Sequence, residues 1–371
     1  MSAGGPGVGD RGLRWLTGSD EDGGVVLSTR VRLARNLQGF PFGGRADPED
    51  AERILERARA VAGECASLAG STLWEIADLD ANDRAILLER HLVSRELLGP
   101  ESEPPPAAAL ALAAGDDVGL MVNEEDHFRL QAFGAGFALE ETWRRLDLLD
   151  EEIGTLLPYA FHPEFGYLTS CPTNVGTGLR ASVLVHLPGL VLTREIHRVL
   201  EGISQVGLTF RGLHGEGSEI AGNLFQISNQ TTLGKTESEL IDHLARVAGK
   251  VVEYERNART VLLREAPAVI EDKVWRAYGI LRHARAISGE ELLNLLSGLR
   301  LGVALKLLPT PRVETLNEIL VLARTAHRIR DAGTRLDDTE VDVARAAFVR
   351  ARLERDESGD ARPGTDPRST S

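Results

Sequence analysis

The chain reads as an α+β protein whose C-terminal part is all helix. Three observations predict this. Strand-like and helix-like segments mix over the first two thirds without the regular strand–helix alternation of a doubly wound sheet. From about Thr236 the remaining segments carry helical periodicity, over 236–256, 259–286, 289–306, 312–331 and 338–354. The length of 371 residues suits two domains, with the change of character placing a boundary near residue 255.

The elements follow in order. Residues 1–20 and about 355–371 are polar and rich in Gly, Pro and Ser, the composition of disordered termini. Residues 21–255 then form the first domain and 256–354 the helical one. Val25 to Arg32 alternates apolar and polar residues and predicts a strand. Asp47 followed by Pro48 marks a helix start, as cap and first helical residue, running to about Leu68. Asp83 to Leu98 predicts another helix, and Glu101-Ser102-Glu103-Pro104-Pro105-Pro106 a loop. Val118 to Val122 is a short apolar strand feeding Asn123; Ala135 to Leu149 is helical. Ala181 to Leu187 and Val206 to Arg211 are strand-like. Ser288-Gly289-Glu290-Glu291 reads as a capping box, and Pro309 and Pro311 punctuate the helices. There is no internal repeat.

Composition narrows the function. Forty-two Lys and Arg stand against 56 Asp and Glu, a net charge of −14, which argues against general nucleic-acid binding. An acidic surface does suit a basic, arginine-bearing protein partner. Cys65 and Cys171 are the cysteines, with no CxxC pair to hold zinc. No run reaches the roughly 18 apolar residues of a membrane span. The opening MSAGGPGVGDRG lacks an apolar signal core, so a cytoplasmic location is expected.

Against that acidity, arginines recur in distinctive strings. Ser28-Thr29-Arg30-Val31-Arg32-Leu33-Ala34-Arg35 comes first, then Asn123-Glu124-Glu125-Asp126-His127-Phe128-Arg129. Cys171-Pro172-Thr173-Asn174-Val175-Gly176-Thr177-Gly178-Leu179-Arg180 and Phe210-Arg211-Gly212-Leu213-His214-Gly215-Glu216 follow. Arginine is always charged and offers a planar fork of donors matched to phosphate oxygens. Several on separate segments, beside paired carboxylates, predict a polyphosphate clamp next to an acid/base site. Each string alone is weak: TRVR is an ordinary strand edge, a bare EED an ordinary solvated loop, and His91 an ordinary packing histidine. A lone cysteine is usually a small buried hydrophobe. Asn229-Gln230-Thr231-Thr232-Leu233-Gly234-Lys235-Thr236 ends like a phosphate-binding loop, but Asn229 stands where the first glycine must be, so that reading is rejected.

Taken together and in order, STRVRLARN, NEEDHFRLQ, LTSCPTNVGTGLRAS and the RGxxGE stretch resemble the catalytic core of the phosphagen (guanidino) kinases. The flank GEGSEIAGNLFQISNQTTLGKTE resembles the bacterial protein arginine kinase, McsB-like, branch. The resemblance covers about residues 22–250, more weakly to the end. It implies a catalytic domain built on an antiparallel sheet flanked by helices, then a helical domain for dimerisation and substrate contact.

It also assigns residues. Arg30, Arg32, Arg129, Arg180 and Arg211 would clamp the phosphates of ATP, with further nucleotide contacts on Ser28, Thr29, Val31, Ala181, Ser182, Val183 and Leu184. Gly212, Leu213, His214, Gly215 and Glu216 belong to the same set, and His91 would pack by the adenine. Glu125 and Glu216 would grip the acceptor guanidinium and Cys171 would hold it electrostatically as a thiolate. A guanidinium keeps its proton to above about pH 12, so aligned carboxylates must orient one nitrogen and take its proton as the new bond forms. Magnesium would travel with the nucleotide rather than on protein ligands.

The arginine block begins at Ser28, without the helical domain that precedes it in kinases of small guanidino metabolites. That predicts an open site and a protein arginine as acceptor. The alternatives are a small-molecule guanidino kinase and a catalytically silent adaptor. The resemblance implies as partners a heat-shock repressor, a Clp-type protease system and a zinc-binding activator protein, and a homodimer. The branch reads phosphoarginine through Arg-Asp-x-x-Arg-Ala; here Val341 replaces the first arginine, leaving Asp342 and Arg345. Arg345 reads equally well as part of a solvated helix face.

Overall fold

Strand β1, Val26–Arg35, runs through the middle of the molecule. The structure is a computed structural model and describes residues 8, 13–17, 24–43, 47–100, 104–115, 117–212 and 221–358. After β1 come helix α1 (Pro48–Glu64), β2 (Thr72–Glu75), α2 (Ala81–Glu89), α3 (Arg95–Leu98), β3 (Ala109–Leu112), β4 (Val118–Val122) and β5 (Phe128–Ala135). Next are α4 (Leu139–Leu156), a hairpin of β6 (Phe161–His162) and β7 (Gly166–Tyr167), β8 (Leu179–His186), α5 (Pro188–Leu192) and α6 (Ile196–Gln205). β9 (Leu208–Gly212) and β10 (Leu224–Asn229) complete the strands. Helices α7 (Glu237–Glu265), α8 (Pro267–His283), α9 (Gly289–Ala304), α10 (Val313–Leu322), α11 (Thr325–Ala332) and α12 (Asp338–Glu357) make up the rest.

Eight strands form one sheet in the order β2-β3-β4-β5-β1-β8-β10-β9. Its seven neighbouring pairs are all antiparallel, as the α+β expectation required. Side chains alternate across a strand, so residue parity decides the face. Val31, Leu33, Leu120, Leu130, Ala132, Ala181, Val183 and Ile227 share one face and are fully buried under α1, α4 and α7. On the opposite face, Leu110, Leu112, Met121 and Phe133 form a second cluster with Ile86, Leu87 and Leu97. A third core, from Ile270 to Leu353, joins α8 to α12.

Several expectations shift for identifiable reasons. Asp47 caps α1 by accepting from Asp50 N at 2.8 Å, as predicted. The helix stops at Glu64, however, because Cys65 turns extended and carries Leu68 into the core. The helix expected over 83–98 is two helices. His91 adopts a left-handed conformation (φ 59°), closing a Schellman pair of bonds, His91 N to Leu88 O and Leu92 N to Leu87 O. Ser94 then caps α3 by accepting from Leu97 N at 3.1 Å. The segment from Ala135 begins not as helix but as the end of β5, and α4 starts only at Leu139.

The helical part also differs. A single helix, α7, runs 29 residues straight through residue 255. It ends at Glu265: Ala266, which precedes Pro267, leaves the helical region with φ −139° and ψ 47°. The helix expected over 312–331 breaks at Ala323–Arg324. Ser288 caps α9 by accepting from Glu291 N, half of the expected box. Full boxes occur instead at Thr236–Glu239 and Asp337–Glu340. Near the N-terminus, Leu13, Trp15 and Leu16 are buried, with Trp15 stacked on Phe133 at 5.9 Å. Three apolar side chains in a polar stretch thus dock rather than stay loose. At the other end α12 reaches Glu357, held by Arg282, and residues 359–371 lie outside the described part.

Candidate active site

The strand register assembles the clamp. Arg32 faces Arg180 on β8 and Gln131 on β5; Arg30 faces Ser182 and Phe133. Arg129 faces Ala34, and Arg211 faces Gln226, which itself faces Leu184. Directly opposed residues share a face. All five predicted arginines therefore project from the face opposite the main core, on four strands.

Their electrostatics follow from that crowding. Burial, and then Arg129 beside it, lowers the Arg30 guanidinium to about 10. Arg32 is pushed well below its ordinary value by burial and by Arg30, Arg129 and Arg180 together. Arg180 is lowered by burial and by Arg211 and Arg129. Glu124 opposes the effect on Arg30 and Arg32 but does not cancel it. The Nε atoms of Arg30 and Arg32 are buried with no hydrogen-bond partner among the described residues. Arginines packed this way, with donors pointing at nothing, make a site for a multiply charged anion.

The acidic run sits at the edge of this face. Asn123, left-handed at φ 55°, ends β4 and starts the turn, its side chain donating to Ala51 O and Ala107 O at 2.9 Å each. Glu124 is fully buried and accepts from Arg129 and from Ser94 Oγ. Asp126 accepts from Asn36 Nδ2 and from Ser170 N, both at 2.7 Å. Glu125 is the exposed one of the three, 43% exposed and 3.4 Å from Arg129 Nη2, while Asp126 Oδ2 is buried with no hydrogen-bond partner among the described residues. Burial raises its carboxyl, Arg129 opposes this, and Asp126 and Glu124 add to the rise. Of three adjacent acids, one is left to act as a base.

Asp126 also brings Cys171 to this edge, since Ser170 N is one of its donors. Cys171 is partly exposed, with Sγ 3.0 Å from Thr173 Oγ1. The glycines of this block serve close approach. A Cβ on Gly178 (φ 63°) would lie 2.6 Å from Ala34 O, and one on Gly176 (φ 111°) would collide with the backbone of Thr232. Both glycines thus press the Cys171–Arg180 segment against its neighbours.

The predicted residues do not all converge. By parity Ser28, Ser182 and Leu184 lie on the arginine face. Thr29, Val31, Ala181 and Val183 have their side chains on the core face, where Thr29 Oγ1 donates to Gly136 O at 2.8 Å. His91 sits in the left-handed turn next to Leu92, whose carbonyl accepts from Gln131 Nε2 on the arginine face. Gly212 ends β9. Leu213, His214, Gly215 and Glu216 lie outside the described residues. Asn229, the misfit of the rejected loop, bonds Ala181 N and Leu179 O at 2.8 Å each and is part of the sheet.

Arg345 is neither exposed nor aimed outward. It is 4% exposed, donating to Ala323 O at 3.0 Å and to Ile287 O at 2.8 Å while paired with Asp342. The solvated-face alternative is thereby corrected: four backbone and side-chain acceptors, Thr325 Oγ1 included, hold this arginine inside. Val341 is buried beside it.

Sequence reading missed Gln131, which accepts from Arg30 Nη2 at 2.6 Å, and the gripping role of Glu124. The signal for Gln131 was its place two residues after Arg129, hence on the same face. Arg35, one strand position out of phase with Arg30 and Arg32, belongs elsewhere. It is buried against Asp150 at 2.6 Å.

Known proteins resemble this chain in sequence and fold. A family model described as ATP:guanido phosphotransferase, C-terminal catalytic domain, matches residues 54–258. One described as protein-arginine kinase McsB C-terminal domain matches residues 267–363. A protein-arginine kinase of Symbiobacterium thermophilum is 47% identical over 344 residues, covering 92% of this chain and 96% of that one. One of Desulforamulus reducens is 43% identical, covering 92% and 95%. Among solved structures, the duplicated taurocyamine kinase of Schistosoma mansoni aligns with a TM-score of 0.57 at 26% identity over 70% of this chain. The chain spans 36% of that duplicated protein. Lombricine kinase shares the fold, with a TM-score of 0.55 at 24% identity over 68% of this chain and 71% of its own. The chain therefore belongs to the ATP:guanido phosphotransferases, in their protein-arginine kinase branch.

Proposed function

We infer that this protein is an ATP-dependent protein-arginine kinase: ATP and a protein arginine give ADP and protein phosphoarginine. The observation that carries this reading is the sheet face of mutually repelling arginines with a free, raised carboxylate at its edge. A nucleotide triphosphate relieves that repulsion, and its transferring phosphoryl group develops charge where the guanidinium forks converge. The close relatives that bear the name protein-arginine kinase support the acceptor.

Arg30, Arg32, Arg129, Arg180 and Arg211 hold the phosphates in line. Glu125 pairs with the acceptor guanidinium, orients one nitrogen and takes its proton as the nitrogen–phosphorus bond forms and the bond to the bridging oxygen breaks. ADP leaves with that electron pair. Glu216 is the second carboxylate by the family pattern. Cys171, near the same edge, steadies the guanidinium. His91 packs by the adenine.

Magnesium would come with the nucleotide and supply charge neutralisation on the phosphates. Among the described residues no three His, Cys, Asp or Glu converge on a metal site. Among those residues, too, no helix is long and apolar enough to cross a membrane. We place the enzyme in the cytoplasm, as a homodimer acting in stress response and protein degradation. Its partners there are a heat-shock repressor, a Clp-type protease system and a zinc-binding activator. These assignments follow from the family resemblance, and the match of residues 267–363 to the branch's own C-terminal domain supports membership of that branch.

The test is incubation with ATP, magnesium and casein, with phosphoarginine read by mass spectrometry beside a free-arginine control. Phosphoarginine on casein, lost in Glu125→Ala with a fall of at least about a hundredfold, is the expected result. Phosphorylation of free arginine alone would assign a metabolite kinase instead.

A further inference from the structure

A line of hydrogen bonds joins the helical C-terminal region to the arginine face. It starts where α11 docks on the end of α2. Glu89 Oε1 accepts from Ala326 N at 3.0 Å in the first turn of α11, and Glu89 Oε2 lies 2.8 Å from His327 Nδ1. Across the ring, Arg90 Nε donates to His327 Nε2 at 3.0 Å. Arginine can only donate, so Nε2 is the acceptor and Nδ1 carries the proton toward Glu89. The imidazole is thus neutral with a fixed tautomer, and burial lowers its pKa in the same sense. From the far side Arg345 donates to Ala323 O at 3.0 Å and to Thr325 Oγ1 at 3.3 Å, holding the start of α11.

The line continues from Arg90 into the left-handed turn at His91. Leu92 O accepts from Gln131 Nε2, and Gln131 Oε1 accepts from Arg30 Nη2 at 2.6 Å. A second branch leaves at Ser94, whose hydroxyl donates to Glu124, the carboxylate that grips Arg129. Each hydrogen bond has a defined donor and acceptor, and the backbone from Glu89 to Ser94 joins them. Both branches end on arginines of the clamp.

We propose that Glu89 and His327 are positioning residues for the nucleotide. By docking α11 on α2 they hold the 91–94 turn, which aims Arg30 through Gln131 and Arg129 through Glu124. The helical region is then part of the support of the ATP site. This rests on the reading of the arginine face as the ATP clamp. The left-handed residue at 91 fits it: a non-glycine in that conformation persists where the surroundings over-determine it.

Glu89→Gln is the informative change. It keeps the shape but sets an amide donor against either Ala326 N–H or His327 Nδ1–H. The ring cannot answer by switching tautomer, because Arg90 donates into Nε2. The experiment measures KM for ATP, KM for casein, ADP affinity by calorimetry and thermal melting. The variants are Glu89→Gln, Gln131→Met and their double. Each single change is expected to raise KM for ATP and weaken ADP binding about tenfold, leaving the casein KM unmoved. The double is expected to be no worse than the worse single, since both cut one path. A Glu89→Gln protein that melts earlier yet keeps KM for ATP within about twofold overturns the proposal, as does a double whose effect is the product of the singles. Should Glu89→Gln fail to fold, His327→Asn replaces it in the cycle with the same two readings, since it keeps a donor toward Glu89 and removes the acceptor for Arg90. A wild type that makes no phosphoarginine would overturn the kinase reading alone, because ADP affinity still reports on the positioning.

Discussion

Strand β1 presents two arginine environments a few residues apart. Arg30 and Arg32 project from one face of the sheet, where burial and neighbouring arginines lower their pKa. Arg35 projects from the other. There Asp150, against the cost of burial, raises its pKa, and the guanidinium lies 3.5 Å over the Tyr167 ring. The same residue type thus becomes an anion receptor on one face and a structural pin on the other. What separates them is parity in a strand and one carboxylate on α4. A charged group buried without a counter-ion costs stability that function must justify, whereas a paired one is neutral ground.

Changing one arginine on each face breaks the comparison most sharply. Arg32→Ala should lower phosphoryl transfer by about ten-thousand-fold (~5 kcal/mol). Its thermal midpoint should stay level or rise, since the substitution removes repulsion among Arg30, Arg129 and Arg180. Equal loss of activity and of melting temperature would mean that Arg32 is structural after all. On the other face, Asp150→Ala strands Arg35 and should cost about 3–5 kcal/mol in denaturant unfolding, with the remaining folded protein active. The smallest effect concerns pH. His127, His186 and His327 are buried and neutral, and burial is the first cause lowering each pKa below its ordinary 6.5. Below that value the unfolded chain binds protons that the folded one refuses. Stability is therefore full above about pH 6.5 and falls as pH drops below it toward the lowered values. Melting curves from pH 7.5 to 5 check the sign; a midpoint that rises on acidification would refute neutral rings.

Much of the catalytic half was legible because its signals are local. Asp47 before Pro48 capped a helix, an apolar pentad gave β4, and the four arginine strings put their clamp arginines on four strands of one sheet. The helical half was less legible, because helices of similar periodicity run together. Continuous spacing hid the break at His91, and the division near residue 255 fell inside α7 although Pro267 marked the end of that helix. Leu13, Trp15 and Leu16 looked loose because a polar background outweighs three apolar residues in composition. Their partner Phe133 lies far away in sequence.

The sequence alone determined which residues could do the chemistry: alternation on β1 put Arg30 and Arg32 on one face, and glycines at 176 and 178 allowed close backbone approach. Only the tertiary structure decided which charges are satisfied. Of Glu124, Glu125 and Asp126, identical in kind and adjacent, the first is held by Arg129 and Ser94 and the third by Asn36 and Ser170, which leaves the middle one exposed with a single longer contact to Arg129. Arg345 and Arg35 look like any exposed arginine in the chain, yet both are buried on acceptors far away in sequence. The energy of a charge depends on what lies within a few ångströms, and in a folded chain those neighbours come from other segments.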